Sequence, residues 1–169
     1  MAGGLGSRFG GPHKIVADVC GKPLILRVLE PSLALSRVAI VAVTRATEGI
    51  VKGVVSSYPV GVIMTDGHSY EEDLGQVLRT VRARPMLVLP ADVYGISAGL
   101  VKDLYLKASE VNADVVTFKV GGSYIGVSVF KGNSTSPWRD VELNWDLINI
   151  NTEADLRLAR ARCAQATRG

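Results

Sequence analysis

The residues best suited to chemistry lie in a glycine-rich stretch at the amino terminus. Its members are Gly3, Gly4, Gly6, Gly10 and Gly11, together with Arg8 and Lys14. Glycine has no Cβ, so its backbone N–H groups can approach a ligand closely, and a concave run of such groups attracts anions. Arg8 adds a planar fork of donors, and Lys14 adds a mobile point charge. The stretch predicts a loop that grips the triphosphate of a nucleotide.

Glycine-rich starts also occur as mobile tails or expression scars, so that interpretation stays open at this point. Two familiar phosphate-binding loops are excluded. No Gly-Lys-Ser/Thr closes the stretch, as a Walker loop requires. The glycine spacing also differs from that of the dinucleotide-binding fingerprint, and no strand is visible before it.

Composition and charge limit the class of protein to which this chain can belong. The chain has 169 residues with 47% hydrophobic and 21% charged residues, which predicts one globular domain over residues 1–169. Its net charge of +3 is too small to indicate a nucleic-acid partner. No apolar run reaches the roughly 20 residues of a membrane span, and no signal peptide is visible. We therefore expect no membrane partner and a cytoplasmic location.

The two cysteines, Cys20 and Cys163, lie far apart in the sequence. They show neither metal-ligand spacing nor a Cys-x-x-Cys pair. The sequence interpretation is two separate thiols in a reducing cytoplasm.

Hydrophobic periodicity predicts alternating strands and helices. The predicted helices cover about residues 23–35, 47–57, 69–82, 97–110 and 154–166. The predicted strands cover residues 38–43, 61–64, 86–90, 113–120, 124–130 and 147–151. Residues 15–20 are expected to be extended, and residues 131–146 to form a loop or lid. This alternation predicts a three-layer α/β domain with a mostly parallel sheet, which binds ligands at the carboxyl ends of its strands.

Asp92 follows one of the buried strands, in the run Leu-Pro-Ala-Asp-Val. A carboxylate at a strand end suits Mg²⁺, which takes one or two carboxylates together with phosphate oxygens and water. The alternative is a helix N-cap or a turn residue. Asp92 is thus the candidate metal ligand.

Residues 2–11 followed by Lys14 resemble the signature loop of the MobA-like NTP transferase family. Residues 21–24, Gly-Lys-Pro-Leu, resemble the second element of that family's pattern. The resemblance implies a Rossmann-like nucleotidyltransferase fold in which Arg8 and Lys14 are catalytic and neutralise the phosphates. The implied nucleotide-binding residues of the loop are Ala2, Gly3, Gly4, Leu5, Gly6, Ser7, Arg8 and Lys14.

In the family this loop follows an apolar strand, whereas here only Met1 and Ala2 precede Gly3. The first strand of the expected sheet is therefore apparently truncated. Either the coding start lies upstream, or another segment fills the gap.

Residues 149–156 resemble the family's closing motif, Asn-Thr-x-x-Asp-Leu, at the start of the last helix. The resemblance implies that Asn151 completes the metal shell around Asp92. The alternative is a capping role for Asn151 or for Thr152, which is expected to cap the last helix. Asp146 is a third candidate oxygen ligand.

Residues 66–74, Asp-Gly-x-x-Tyr-x-x-Asp-Leu, resemble the archaeal-type adenosylcobinamide-phosphate guanylyltransferases within this family. The resemblance implies nucleotide contacts from Asp66, Gly67, Tyr70 and Asp73, and an acceptor pocket at Gly126. The alternatives are a solvated first helical turn for residues 70–73 and a bend in the strand at Gly126.

The implied reaction transfers GMP from GTP to adenosylcobinamide phosphate with Mg²⁺, releasing pyrophosphate, as a step of cobalamin biosynthesis. A homodimer is compatible with the sequence. Three other functions stay open. A molybdenum-cofactor guanylyl- or cytidylyltransferase usually has an acidic residue where this chain has His13. A sugar-phosphate nucleotidyltransferase is normally longer, and a nucleotide-binding module would lack catalysis.

Overall fold

The structure is a computed structural model that describes residues 1–3, 9, 11–36 and 38–166. Its strands are β1 (Ala39–Val43), β2 (Val60–Met64), β3 (Met86–Val88), β4 (Val93–Tyr94), β5 (Val115–Val120), β6 (Ser123–Phe130), β7 (Trp138–Leu143) and β8 (Ile148–Asn149). Its helices are α1 (Leu24–Leu33), α2 (Glu48–Val55), α3 (Tyr70–Thr80), α4 (Ala98–Glu110) and α5 (Glu153–Ala166). A 3₁₀ helix spans Pro12–Val16.

Two groups of strands form the main layer. β1 and β2 pair in parallel, and a four-stranded sheet has the order β3-β6-β5-β7. β6 is antiparallel to β3 and to β5, and β7 is parallel to β5. β4 and β8 form a separate small antiparallel pair.

Met1 and Ala2 connect the two groups. The Met1 amino group donates to the Leu89 carbonyl at 2.7 Å, and the Ala91 N–H donates to the Met1 carbonyl at 2.9 Å. On the other side, the Ala2 N–H donates to the Ala42 carbonyl at 2.8 Å. The two bonds with Leu89 and Ala91 have the parallel pattern, and the Ala2 bond places the same segment beside β1. β6 is then the reversed strand of the main layer, and the expected mostly parallel sheet is confirmed.

Helices cover both faces of this layer. Leu87 and Leu89 pack with Val101 of α4, whereas Val88 packs with Leu74 and Leu78 of α3. Successive strand residues point to opposite faces, so α4 and α3 lie on opposite sides of the sheet. The expected three-layer α/β/α arrangement is therefore confirmed.

Serine caps begin two of the predicted helices. The Ser69 hydroxyl accepts the Glu72 N–H at 3.1 Å, and the Ser97 hydroxyl accepts the Leu100 N–H at 3.2 Å. Such caps satisfy N–H groups that have no partner within the helix. The expected starts of α3 and α4 are confirmed.

Two local predictions are wrong. Residues 15–20 were expected to be extended, but the 3₁₀ helix Pro12–Val16 covers their beginning. Pro12 at its first turn presets a helical φ. Residues 131–146 were expected to form a loop, but they contain β7, an edge strand paired with β5. Only the end of β7 is apolar and packed, at Val141 and Leu143, and its first three residues are exposed, so the segment lacks the long apolar run of the other strands.

The prediction of two separate thiols is also wrong, since Cys20 and Cys163 form a disulfide with their Cα atoms 6.3 Å apart. The turn that contains Cys20 lies against α5, a proximity that sequence separation conceals. None of the helices in the described ranges is both long and apolar enough to cross a membrane.

Candidate active site

Lys14 lies at the centre of a polar cluster formed by three separate segments. Its Nζ atom is 2.6 Å from Oδ2 of Asp92 and donates to Oδ1 of Asn151 at 3.4 Å. Lys14 is 9% exposed, and the Asp92 side chain is 23% exposed. Partial removal from water strengthens this charge pair relative to one on an open surface. The structure thus brings together the predicted phosphate-binding lysine and both predicted metal ligands.

The backbone of Asp92 is held from two sides. The preceding residue, Ala91, donates its N–H to Met1, and the Asp92 carbonyl accepts the Ile150 N–H at 2.8 Å. The next residue, Val93, pairs with Asn149 in the small sheet. The segment from the end of β3 into β4 is therefore joined to the segment that carries Asn151.

Asp155 holds the segment around Asn151. Its Oδ2 accepts from the Asn151 N–H at 3.0 Å, the Thr152 N–H at 2.8 Å and the Thr152 hydroxyl at 2.8 Å. Burial acts to raise the pKa of Asp155, but these hydrogen bonds and the charge of Lys14 keep it below its usual value. Asp155 stays ionised and fixes the start of α5. The expected cap at Thr152 is present, because its hydroxyl accepts the Asp155 N–H at 3.2 Å.

A second cluster joins Gly3 to the segment predicted to lie near the base. The buried Thr44 follows β1, and its hydroxyl donates to the Gly3 carbonyl at 3.3 Å. A Cβ at Gly3 would lie 2.8 Å from Thr44 Cγ2 and 3.2 Å from Asp73 Oδ2. The Gly67 N–H donates to Asp73 Oδ1 at 2.8 Å, so this donor is already engaged. The buried Asp73 thus holds residue 67 in place.

Gln76 of α3 forms two hydrogen bonds with Asp66. Its Oε1 accepts the Asp66 N–H at 3.2 Å, and its Nε2 donates to Asp66 Oδ2. The exposed Asp66 carboxylate is therefore oriented, and its second oxygen is left for another donor. Thr44 and Gln76 were missed in the sequence; Thr44 had a usable signal, a polar residue directly after a buried strand.

Tyr70 links α3 to the predicted acceptor side. Its hydroxyl donates to the Gly126 carbonyl at 3.3 Å. Gly126 has a φ of +73°, and a Cβ there would lie 3.5 Å from Pro90, two residues before Asp92. Burial, with the charges of Glu71 and Asp92, raises the pKa of Tyr70 to about 12, so its hydroxyl remains a donor.

Some predicted site residues are not placed. Gly4, Leu5, Gly6, Ser7 and Arg8 lie outside the described residues. Asp146, the third candidate oxygen ligand, forms an ion pair with Arg162 of α5.

Asp92 and Asn151 could together hold a divalent cation. One carboxylate and one amide oxygen fit Mg²⁺, which completes its shell with water and substrate phosphates. The described ranges contain no group of three or more His, Cys, Asp or Glu side chains that would form an all-protein metal cage. These two donors therefore fit a metal ion that takes part of its ligands from the protein and part from the phosphates of a substrate.

The three-layer fold, with its polar cluster at strand ends, is that of a nucleotidyltransferase. The model of the MobA-like NTP transferase domain matches residues 1–165. The chain belongs to this family, whose members are nucleotidyltransferases.

One curated relative and two solved structures illustrate the similarity. The chain is 26% identical to the adenosylcobinamide-phosphate guanylyltransferase of Methanocaldococcus jannaschii, over 94% of this chain and 93% of that protein. HddC from Yersinia pseudotuberculosis, complexed with GMP-PN, has a TM-score of 0.72 at 16% identity, covering 95% of this chain and 96% of that one. Molybdopterin-guanine dinucleotide biosynthesis protein A from Archaeoglobus fulgidus has a TM-score of 0.70 at 17% identity, covering 97% and 96%. The two structures share the fold.

Proposed function

We propose that this protein transfers GMP from GTP to adenosylcobinamide phosphate, giving adenosylcobinamide-GDP and pyrophosphate. The observation that carries nucleotidyl transfer is the cluster of Lys14, Asp92 and Asn151 at the strand ends. The choice of acceptor is supported by the similarity to the Methanocaldococcus jannaschii enzyme over nearly the full length of both chains.

In this reaction a phosphate oxygen of the acceptor attacks the α-phosphorus of GTP. The bond from the α-phosphorus to the oxygen bridging to the β-phosphate breaks, and pyrophosphate leaves with the electron pair. Little covalent work is required of the protein, so positioning and charge neutralisation provide most of the catalysis.

Lys14 supplies positive charge at the α-phosphate. In the structure its ammonium is held by Asp92 and Asn151, which orients it before a nucleotide arrives. Arg8 supplies a second positive charge to the phosphates. A Mg²⁺ ion held by Asp92 with Asn151 would neutralise further phosphate charge when bound.

The segment around Gly67 forms the base side of the site. Asp66, oriented by Gln76, offers a carboxylate to the N–H groups of guanine. The Asp73 carboxylate holds Gly67 in place by accepting its N–H. The ring of Tyr70 offers a surface on which the base stacks. The main chain of residues 2–7 binds the triphosphate. Gly126, whose carbonyl accepts the Tyr70 hydroxyl, borders the acceptor pocket on the side of Tyr70 opposite to the base.

The testing experiment is a matrix of nucleotides and acceptors with pyrophosphate release as the readout. GTP, ATP and CTP are each combined with Mg²⁺ and with adenosylcobinamide phosphate, molybdopterin or a sugar 1-phosphate. We expect release only with GTP and adenosylcobinamide phosphate together. Release with another acceptor would assign the site to that acceptor, and GTP binding without release would indicate a non-catalytic module.

A further inference from the structure

The disulfide between Cys20 and Cys163 joins the two segments that carry Lys14 and Asn151. Cys20 lies in a turn between the 3₁₀ helix and α1, formed by residues 18–23 and called the Cys20 turn below. Cys163 lies near the end of α5. The two cysteines are 143 residues apart in the sequence, so their bond closes most of the chain into one covalent loop.

The Cys20 turn continues directly from the segment that holds Lys14. The Ala17 N–H donates to the Lys14 carbonyl at 3.1 Å, and the Leu24 N–H donates to the Ala17 carbonyl at 3.0 Å. Within the turn, the Val19 N–H donates to the Lys22 carbonyl at 2.9 Å. Because these bonds leave no long unpaired stretch between the turn and Lys14, a displacement of the turn also displaces the backbone of Lys14.

α5 connects Cys163 to Asn151 in a similar way. Leu156, Ala159 and Cys163 lie on one buried face of the helix, in a cluster that includes Val19 of the Cys20 turn. Asn151 directly precedes the helix, and its N–H is hydrogen-bonded into the first turn. The disulfide and the hydrogen bond from Lys14 to Asn151 therefore connect the same two segments at two separate points.

The two cysteines differ in their access to solvent. Cys20 is exposed, whereas Cys163 is only 5% exposed and packs within the cluster on α5. A dissolved thiolate breaks a disulfide by attacking one of its sulfur atoms, which it must first reach. Cys20 is therefore the point at which a small thiol acts on this bond.

We propose that this disulfide is a redox-modification site that controls how firmly Lys14 and Asn151 are held together. Its reagents are small thiols and disulfides, which act at Cys20. The oxidised form fixes the Cys20 turn against α5 and keeps the ammonium of Lys14 at the amide oxygen of Asn151. The effect of this modification on catalysis rests on the proposed function, whereas its effect on the two segments does not.

Reduction removes the covalent link but leaves weaker contacts between the turn and α5. The Arg160 Nε atom donates to the Asp18 carbonyl at 2.8 Å, and Val19 remains packed in the buried cluster. One side-chain hydrogen bond and one apolar contact restrict motion much less than a covalent bond does. The reduced protein therefore keeps its fold while the two segments open locally.

The exchange reaction is balanced with glutathione as the thiol. A glutathione thiolate attacks Sγ of Cys20, the bond between the cysteines breaks, and its electron pair goes to Sγ of Cys163, which takes up a proton. A second glutathione thiolate attacks the glutathione sulfur of the mixed disulfide, and Cys20 leaves as a thiolate that is then protonated. Two molecules of glutathione thus become one oxidised glutathione, and oxidised glutathione reverses both steps.

The test treats the folded protein with an excess of reduced and then of oxidised glutathione, and follows hydrogen exchange at single amides without nucleotide. The informative amides are those of Ala17, bonded to the Lys14 carbonyl, and Asn151, bonded to Asp155. The Lys131 amide, bonded to the Asp114 carbonyl in the four-stranded sheet, is the internal control.

We expect reduction to accelerate exchange at Ala17 and Asn151 by about tenfold or more, with little change at Lys131, and re-oxidation to restore the slow rates. The thermal midpoint should fall by several degrees. Unchanged exchange at Ala17 and Asn151 overturns the proposal even if the midpoint falls. Equal acceleration at all three amides, or a disulfide that glutathione leaves intact in the folded protein, overturns it as well.

Two variants and one activity assay complete the test. Cys20→Ser and Cys163→Ala should each exchange like the reduced protein and should no longer respond to glutathione, and a response that persists in both contradicts the assignment. Oxidised protein should show a several-fold higher kcat/KM for GTP than reduced protein. Amide exchange that responds to glutathione without pyrophosphate release in either form supports the redox site and refutes only the proposed transferase function.

Discussion

The Nζ atom of Lys14 lies 2.6 Å from Oδ2 of Asp92, although one residue follows the glycine-rich stretch and the other lies between β3 and β4. In the absence of nucleotide, the two charges neutralise each other. In the proposed reaction, a triphosphate with its metal ion offers each of them a new partner of opposite sign. We therefore expect the pair to exchange one set of contacts for another when substrate binds.

Replacing Lys14 with alanine should reduce turnover much more than GTP affinity. Loss of one charge contact that strengthens in the transition state costs about 2–4 kcal/mol, or roughly 30- to 900-fold in kcat. Steady-state kinetics and GTP titration measure the two effects separately. Lys52→Ala is the control, because Lys52 forms an exposed pair with Glu48 on α2. Equal losses of turnover and affinity would contradict the catalytic role.

Replacing Asp92 with asparagine should raise the Mg²⁺ concentration needed for half-maximal activity. The change keeps the side-chain shape but removes the charge that attracts the cation. Titration of activity with MgCl₂ at saturating GTP gives the shift directly. Asp103→Asn on the exposed surface of α4 is the matched control. An unchanged Mg²⁺ requirement in the Asp92 variant would rule it out as the metal ligand.

Replacing Asp155 with alanine should lower the free energy of unfolding by about 0.5–2 kcal/mol, because two backbone N–H groups at the start of α5 lose their acceptor. The folded pKa of Asp155 lies below its unfolded value. Its contribution is therefore complete above the unfolded pKa and disappears as pH falls through the folded one. Urea unfolding of both proteins should give a difference at pH 7 that shrinks below about pH 4. A difference that does not change with pH would contradict this origin.

Replacing Gly3 with alanine should destabilise the protein by about 1–3 kcal/mol, because the new Cβ would lie 2.8 Å from Thr44 Cγ2. Thr44→Ser removes that methyl group and should recover part of the loss in the double variant. A double-mutant cycle by urea unfolding measures the coupling. Strict additivity would show that the two residues do not pack as described.

Gly67→Ala provides a contrast, because Gly67 has a φ of +78° in addition to a close approach to Thr44. Thr44→Ser should recover less here, since the backbone strain remains. Gly53→Ala in α2 is the control. A Cβ there meets no heavy atom within 4 Å, so that change should be neutral or stabilising by up to about 1 kcal/mol.

The sequence was informative wherever a residue type has one dominant physical use. Ser69 and Ser97 marked helix starts, and apolar runs marked β1 and β3. Asp92 was identified because it follows a buried strand, and Asn151 was identified from the resemblance to the family's closing motif. The structure places both beside Lys14.

Long-range pairing was the part that sequence could not provide. The first half of β7 is exposed, and its apolar residues Val141 and Leu143 are too few to mark a strand, so its pairing with β5 was not visible in the sequence. Cys20 and Cys163 meet only because α5 returns to the turn near residue 20. Gln76 contacts Asp66 because a helix places it there, and no local pattern marks either interaction.

The most direct test of the proposed function follows the phosphate groups of GTP. The protein is incubated with Mg²⁺, adenosylcobinamide phosphate and GTP labelled at either the α- or the γ-phosphate. We expect the α-label in the corrinoid product and the γ-label in pyrophosphate, with both transfers greatly reduced in Lys14→Ala. An α-label that stays in GTP or appears only as free GMP, while GTP binds normally, would contradict nucleotidyl transfer to this acceptor.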